Sequence, residues 1–555
     1  MINHKVAVLA GSAALALVLS SCAESDRDSG SGSGSGSSDA QFVFGAAGAP
    51  TTFDPFYASD GETFRVTRQI FQNLIGIEEG GVETIPELAT EWEGSEDGLT
   101  WTFQLREGVT FHDGTEFNAE AVCANFERWF TQNEVGRNDA VTAYWASDFG
   151  GFKDDDQESL YESCEATDEM TAEVKITRAT GKFPIVLTQA SYAMQSPTAM
   201  EKYDANNVKQ QGEGFVFPEY ATDHPTGTGP FTYKSFDDGN GTITLTRYDD
   251  YWDETAGVKD LIFRIISDET SRRQELESGT INGYDLPNPV DWGTLEDGGN
   301  QVLIRDPFNI LYLGLNPSAN EDLLNDDVRQ ALYLAINREQ LVSSQLPEGA
   351  EVATQFIPPT IDGYNDSLQP VEHNPEKAKQ LLADAGMEGL EIDLWYPTEV
   401  TRPYLPDPQR IYDAVKADWE EVGVKVTPVA KPWAGGYLDG VQQNNSPAYF
   451  LGWTGDYNGA DNFLGAFFAG DDNDFGTSEY DWNSDLQEQL RAADEEVDEE
   501  KRTETYQELN ANIMDWLPGL PLSHSPPAIV VGPDVEGLTP SPLTQEDFST
   551  VTIKE

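Results

Sequence analysis

Between residues 325 and 429 the apolar residues change period repeatedly, and this restricts the chain to a mixed α/β architecture. Asn325 and Asp326 can cap a helix whose Val328, Leu332, Ala335 and Ile336 share one face. Asn374-Pro375-Glu376 opens a second helix and Gly386 closes it, with proline inside the start and glycine beyond the end. Gln409 to Val422 is a third helix, with Ile411, Val415, Trp419 and Val422 on one side, and Val424 to Val429 follows as a strand. The earlier chain reads similarly. Gln41–Phe44, Leu99–Arg106, Thr242–Tyr248 and Val258–Ile266 pattern as strands. Phe64, Ile70, Phe71 and Leu74 predict one helix, and Asn118 caps another lined by Val122, Phe126, Trp129 and Phe130. At 555 residues the chain is long enough for two or three lobes with their own cores.

The N-terminus is an address, not part of the fold. His4 and Lys5 precede an apolar run, Val6 to Leu19, which is short for a bilayer span but right for a signal peptide. The run ends in Leu19-Ser20-Ser21-Cys22, which resembles a bacterial lipobox: cleavage after residue 21 and a lipid on Cys22. Ser29 to Ser38 is then a flexible Gly/Ser tether. A plain secretory signal with a chance Cys22 is the other reading. The chain carries 98 Asp+Glu against 33 Lys+Arg, a net charge of −65. Such a surface repels phosphate backbones and excludes nucleic acid as a partner, while favouring solubility, also at high salt.

With Cys22 lipidated, Cys123 and Cys164 remain. Outside the cytoplasm an isolated pair reads most simply as a disulfide, closing a loop worth roughly 4 kcal/mol in the chain-entropy model. A redox or metal pair would want closer spacing and histidine partners.

One later stretch concentrates chemistry. Tyr449-Phe450-Leu451 reads as a buried strand running into Gly452-Trp453-Thr454-Gly455-Asp456-Tyr457. Two glycines allow close backbone approach, and an indole, a carboxylate and a phenol stand together at the strand's end. That mixture suits a cleft holding a charged, partly apolar ligand. Equally, Trp453 and Tyr457 could be ordinary core and Asp456 a turn cap.

The segment LTWTFQLREGVTFHDGTEFNAEAV, residues 99–122, resembles the signature of the family 5 extracellular solute-binding proteins, the oligopeptide- and dipeptide-binding components of ABC importers. Other landmarks recur in order: Thr51-Thr52-Phe53-Asp54-Pro55, Gly227-Thr228-Gly229-Pro230-Phe231 with Tyr251-Trp252, and Asp327 to Asn337. The resemblance implies a two-lobed, periplasmic-binding-protein-like fold of type II, with an extra α/β domain inserted in the first lobe. The first lobe would take 40–75, 215–300 and 525–555, the inserted domain 76–214 with both cysteines, and the second lobe 301–524. Crossings near Arg305-Asp306-Pro307 and Ser523 to Pro527 would form the hinge.

The resemblance also assigns roles. Leu451, Gly452 and Trp453 would pair with an extended peptide through their backbones, and Asp456 would meet its α-ammonium. Asp60-Gly61-Glu62 would face the ligand from the first lobe. Oligopeptide-binding members can carry an arginine six residues before the aspartate, where this chain has Phe450, so carboxylate recognition needs another residue. The implied partners are a peptide and an ABC permease with a cytoplasmic ATPase, for a monomer held to the outer membrane face by the lipid on Cys22. An oligosaccharide, a chelated metal or another small solute is the alternative cargo, with Trp433, Trp453 and Tyr457 as stacking surfaces.

Catalytic patterns are missing. The histidines (His4, His112, His224, His373, His524) are dispersed, and no H-E-x-x-H, G-x-S-x-G or C-x-x-C occurs. Gly227-Thr228-Gly229 lacks the third glycine of a nucleotide fingerprint. Asp471 to Gly476 echoes a calcium loop, but Phe475 and Trp482 fall where oxygen ligands belong. No catalytic residue, metal or cofactor is therefore expected, and an extracellular hydrolase is the remote alternative.

Overall fold

A computed structural model of the chain describes residues 39–212 and 214–554. The signal segment, Cys22 and the Ser29–Ser38 tether lie outside the described residues. Among the described residues no helix is long and apolar enough to cross a membrane.

Two sheets dominate. The first has seven strands, in the order Phe231–Asp237, Thr242–Arg247, Asp260–Ile265, Gln41–Ala46, Gly283–Asp285, Ala528–Val531 and Gln301–Ile304. Its central strand Gln41–Ala46 runs parallel to both neighbours and is packed by Phe42, Phe44, Phe263 and Phe548. The second has six strands, in the order Glu351–Val352, Gly519–His524, Asn309–Leu315, Ala448–Thr454, Glu391–Thr398 and Lys425–Pro432. The chain passes between the two sheets after Ile304 and again after His524. A third, four-stranded sheet, Ala89–Gly94, Thr100–Leu105, Thr171–Ile176 and Tyr161–Asp168, has its own core around Phe103, Phe126, Trp129 and Trp145.

Local sequence accounts for most helices. Asn118 accepts from Ala121 N at 3.0 Å and starts helix Ala119–Phe130, which buries Val122, Phe126 and Trp129 and leaves Phe130 half-buried. Asn325 and Asn374 cap Asp326–Ala335 and Pro375–Asp384 in the same way. Gly386 takes the left-handed φ of +72° that stops the second of these. Cys123 and Cys164 form a disulfide, Cα atoms 5.1 Å apart, between that first helix and the strand Tyr161–Asp168.

One predicted helix is much shorter than its apolar spacing suggests. It covers only Gly61–Thr67, and Ile70, Phe71 and Leu74 lie beyond it. The carbonyls that would continue it are claimed elsewhere: Gln69 O accepts from Phe231 N, Ile70 O from Gly229 N and Gln72 O from Met194 N. Tertiary hydrogen bonds outcompete helix propagation here.

Candidate functional site

The strand Ala448–Thr454 is paired along its whole length with Asn309–Leu315 on one flank. On the other flank Glu391–Thr398 pairs with it only at Ala448 and Tyr449, then diverges to stay with Lys425–Pro432. From Phe450 onward that flank has no strand neighbour among the described residues. Side chains border the gap. Tyr437 donates its hydroxyl to Phe450 O at 2.6 Å and stacks near Trp433, and the Arg402 guanidinium lies 4.4 Å from the Trp433 ring centroid. Arg402 Nε is buried without a partner. The glycines admit protein rather than open space: a Cβ on Gly452 would collide with the Tyr404 ring and Ile310 O, and one on Gly455 with Phe308 and Phe463.

Asp456 closes the strand's far end. Its backbone N–H donates to Asn462 Oδ1 at 2.8 Å, and the same oxygen accepts from Trp453 Nε1 at 3.2 Å, so Asn462 orients both residues. Tyr144, from the four-stranded-sheet region, donates to Asp456 Oδ1 at 3.2 Å. Oδ2 is buried with no partner. Burial raises the carboxyl's pKa, opposed by the positive charge of Arg68 and by bonds from Asn462 and Tyr144. Burial in turn lowers Arg68 to about 10, with Asp456 the largest opposing influence. An acid whose ionised form is so poorly compensated is suited to receive a cation.

The other predicted site residues separate. Leu451 and Trp453 are half-buried on the strand. The Phe450 side chain is fully buried in the core of the six-stranded sheet, so only its carbonyl reaches the gap. Tyr457 is 3% exposed, packs into the core of the four-stranded-sheet region and donates to Asp461 Oδ2 at 2.5 Å. Asp60 caps Gly61–Thr67: its oxygens accept from Thr63 N, Thr63 Oγ1 and Thr51 Oγ1. Gly61 is exposed with open space around it. Glu62 repeats the signature of Asp456: Oε2 is buried and unpartnered, and burial raises its pKa against the pull of Arg65, 3.8 Å away.

Sequence reasoning missed Arg402, Tyr404, Tyr437, Asn462, Tyr144 and Arg68. Only Arg402 offered a signal, as a cation in the proline-flanked loop Arg402-Pro403-Tyr404-Leu405-Pro406 that follows a strand.

Comparison with known proteins decides the family. Residues 83–475 match the model described as bacterial extracellular solute-binding proteins, family 5. This chain belongs to that family. It is 31% identical to the dipeptide-binding protein of Escherichia coli K12, over 92% of this chain and 94% of that protein. It is 29% identical to heme-binding protein A of Haemophilus influenzae, over 98% of each. Among solved structures, HbpA2 from Haemophilus parasuis superposes with a TM-score of 0.78 at 27% identity, over 93% of this chain and all of that one. The fold is accordingly that of type II periplasmic binding proteins, and the family is extracytoplasmic.

Proposed function

We propose that this protein captures short peptides in the cleft bordered by the open flank of Ala448–Thr454 and hands them to an ABC permease. The observation that carries this reading is a flank that, from Phe450 onward, has no strand neighbour among the described residues and that leads to a buried Asp456 oxygen without a hydrogen-bond partner among them. An extended peptide supplies what both lack. Its main chain pairs with Leu451 to Trp453 along the flank that has no strand neighbour among the described residues, and its α-ammonium meets Asp456, with Glu62 as a second acid. Arg402 takes the carboxylate role that Phe450 leaves open: it forms no ion pair among the described residues and is held on Trp433. Backbone recognition accounts for tolerance of varied side chains. The identity to the E. coli dipeptide-binding protein supports this cargo.

In this reading the seven-stranded sheet belongs to the first lobe, expected at 40–75, 215–300 and 525–555 and extended here to 304 because Gln301–Ile304 is its edge strand, and 76–214 is the inserted domain. The second lobe is then 305–524, and closure of the two lobes over the peptide makes the form that the permease recognises. The mature monomer is tethered outside the membrane through Cys22 and binds its cargo without turnover. Calorimetry with one dipeptide, free and N-acetylated, tests the reading. Wild type should bind the free form and lose most affinity for the acetylated one, and Asp456→Ala should weaken the free form by about 2–5 kcal/mol. Equal affinity of wild type for the two forms removes Asp456 from the ammonium-anchoring role and favours a non-peptide cargo. The match to a heme-binding protein makes a chelated metal the competing cargo. Mass spectrometry of ligand extracted from purified protein separates the two and shows whether peptides leave intact.

A further inference from the structure

The four-stranded-sheet region touches its surroundings in two different ways. Towards the seven-stranded-sheet region the contacts are buried. Arg128 pairs with Asp54, Gln195 Nε2 donates to Asp54 Oδ1 at 3.0 Å, Asn73 Nδ2 donates to Leu187 O and Gln189 O at 2.7 Å each, and Tyr57 donates to Gln132 at 2.9 Å. Towards the six-stranded-sheet region Tyr457 and the Tyr144–Asp456 bond are also buried, but the ion pairs among the described residues gather in Arg178 to Lys182. Arg178 Nη1 lies 2.9 Å from Asp494 Oδ2, Lys182 Nζ lies 3.2 Å from Asp494 Oδ1 and 3.8 Å from Asp461 Oδ2, and Thr180 Oγ1 donates to Asp494 O at 2.9 Å. Between them Gly181 passes so close that a Cβ would collide with the Arg502 guanidinium and the Glu496 carbonyl.

We propose that Arg178 to Lys182 is a latch through which this region holds the cleft shut, so that ligand affinity is set partly by contacts the ligand never touches. The inference rests on the reading of Asp456 as a ligand contact. Buried ion pairs and hydrogen bonds keep the region fixed on one side, since breaking them strands charges in the core. The pairs to Asp461 and Asp494 lie nearer the surface, with Arg178 48% and Lys182 19% exposed, so parting them returns the charges to water and does not leave them in a core. Asp461, a partner of the latch, opens the helix that follows Asp456, and Tyr144 of the same region as the latch reaches Asp456 itself. Closing the cleft therefore completes latch and site together. Lys182 and Gly181 are positioning residues: they act by favouring the closed arrangement, and a state favoured less lowers apparent affinity in proportion.

The test uses Lys182→Met, Gly181→Val and the conservative Lys182→Arg. Spin labels at Glu107→Cys and Glu504→Cys, exposed sites on the two sides, report the separation with and without dipeptide. Lys182→Met and Gly181→Val should each lower dipeptide affinity about tenfold and shift the distance distribution towards longer separations. Lys182→Arg should restore both, and ligand-free melting temperatures should barely move. Unchanged distance distributions in Lys182→Met and Gly181→Val would overturn the latch whether or not any dipeptide binds. Failure of wild type to bind dipeptide would strike the functional reading alone. Affinity lost without a change in distances, or lost together with thermal stability and not restored by Lys182→Arg, also counts against the latch.

Discussion

Two places in this protein bury charge, and they do so differently. Where the chain leaves the seven-stranded sheet, Arg305 is fully buried and bonds Asp285 Oδ1 and Glu546 Oε1 at 2.6 Å each, while Arg65 pairs with Asp285 and lies 3.9 Å from Glu546. Each charge in that cluster has an opposite one beside it, and the two arginines hold the Asp285 carboxyl down at about 2 despite burial. At the end of Ala448–Thr454, Asp456 has one oxygen without a partner and a pKa moved the opposite way. Compensated charge marks a structural joint. At Asp456 the compensation is partial: Arg68 and Tyr144 oppose burial without overcoming it.

The largest expected effect breaks the joint. Arg305→Met should cost about 3–5 kcal/mol, because Asp285 and Glu546 would be left buried beside a single arginine, and urea unfolding measures it. Asp456→Ala should cost much less on that assay. An acid whose folded pKa is raised loses its stability contribution as pH rises, and at neutral pH this gain on removal offsets the loss to Arg68 of its largest opposing charge.

Arg402→Gln sharpens the site's other end. Loss of a charge-assisted hydrogen bond to the ligand carboxylate should weaken dipeptide binding by about 1.5–3 kcal/mol. A C-amidated dipeptide should bind wild type and variant alike, and a full penalty with the amidated form would place Arg402 away from the carboxylate.

The pH dependence follows from Asp456. An α-ammonium pairs with the ionised carboxylate, whose formation burial delays to higher pH than for an ordinary aspartate. Affinity should be full above the ligand-free titration and fall as pH drops through it, and Asp456→Asn should flatten the profile. The smallest effect belongs to Tyr457→Phe, which removes only the bond to Asp461, about 1 kcal/mol of stability. Its dipeptide affinity should stay close to wild type, and a large loss would return Tyr457 to the ligand.

Much of the fold was legible because the signals are local. Asn118, Asn325 and Asn374 cap their helices through bonds spanning two or three residues, and Gly386 needs only its own backbone angle. The same logic failed at Ile70, Phe71 and Leu74, whose helical spacing is genuine but whose neighbouring carbonyls are taken by residues over a hundred positions away.

The site divides along the same line. Sequence alone determined that a short strand ends in a carboxylate, because alternation and turn residues are written in consecutive positions. It could not decide which flank of that strand stays open, since this depends on where Glu391–Thr398 diverges. Nor could it tell that Phe450 and Tyr457 face cores while Asp456 keeps an unpaired oxygen. Tyr144 and Arg68 stand far from Asp456 in sequence, so only the folded chain could bring their hydrogen bond and charge to bear on it. Burial and compensation are properties of the packed neighbourhood, and tertiary structure alone decides them.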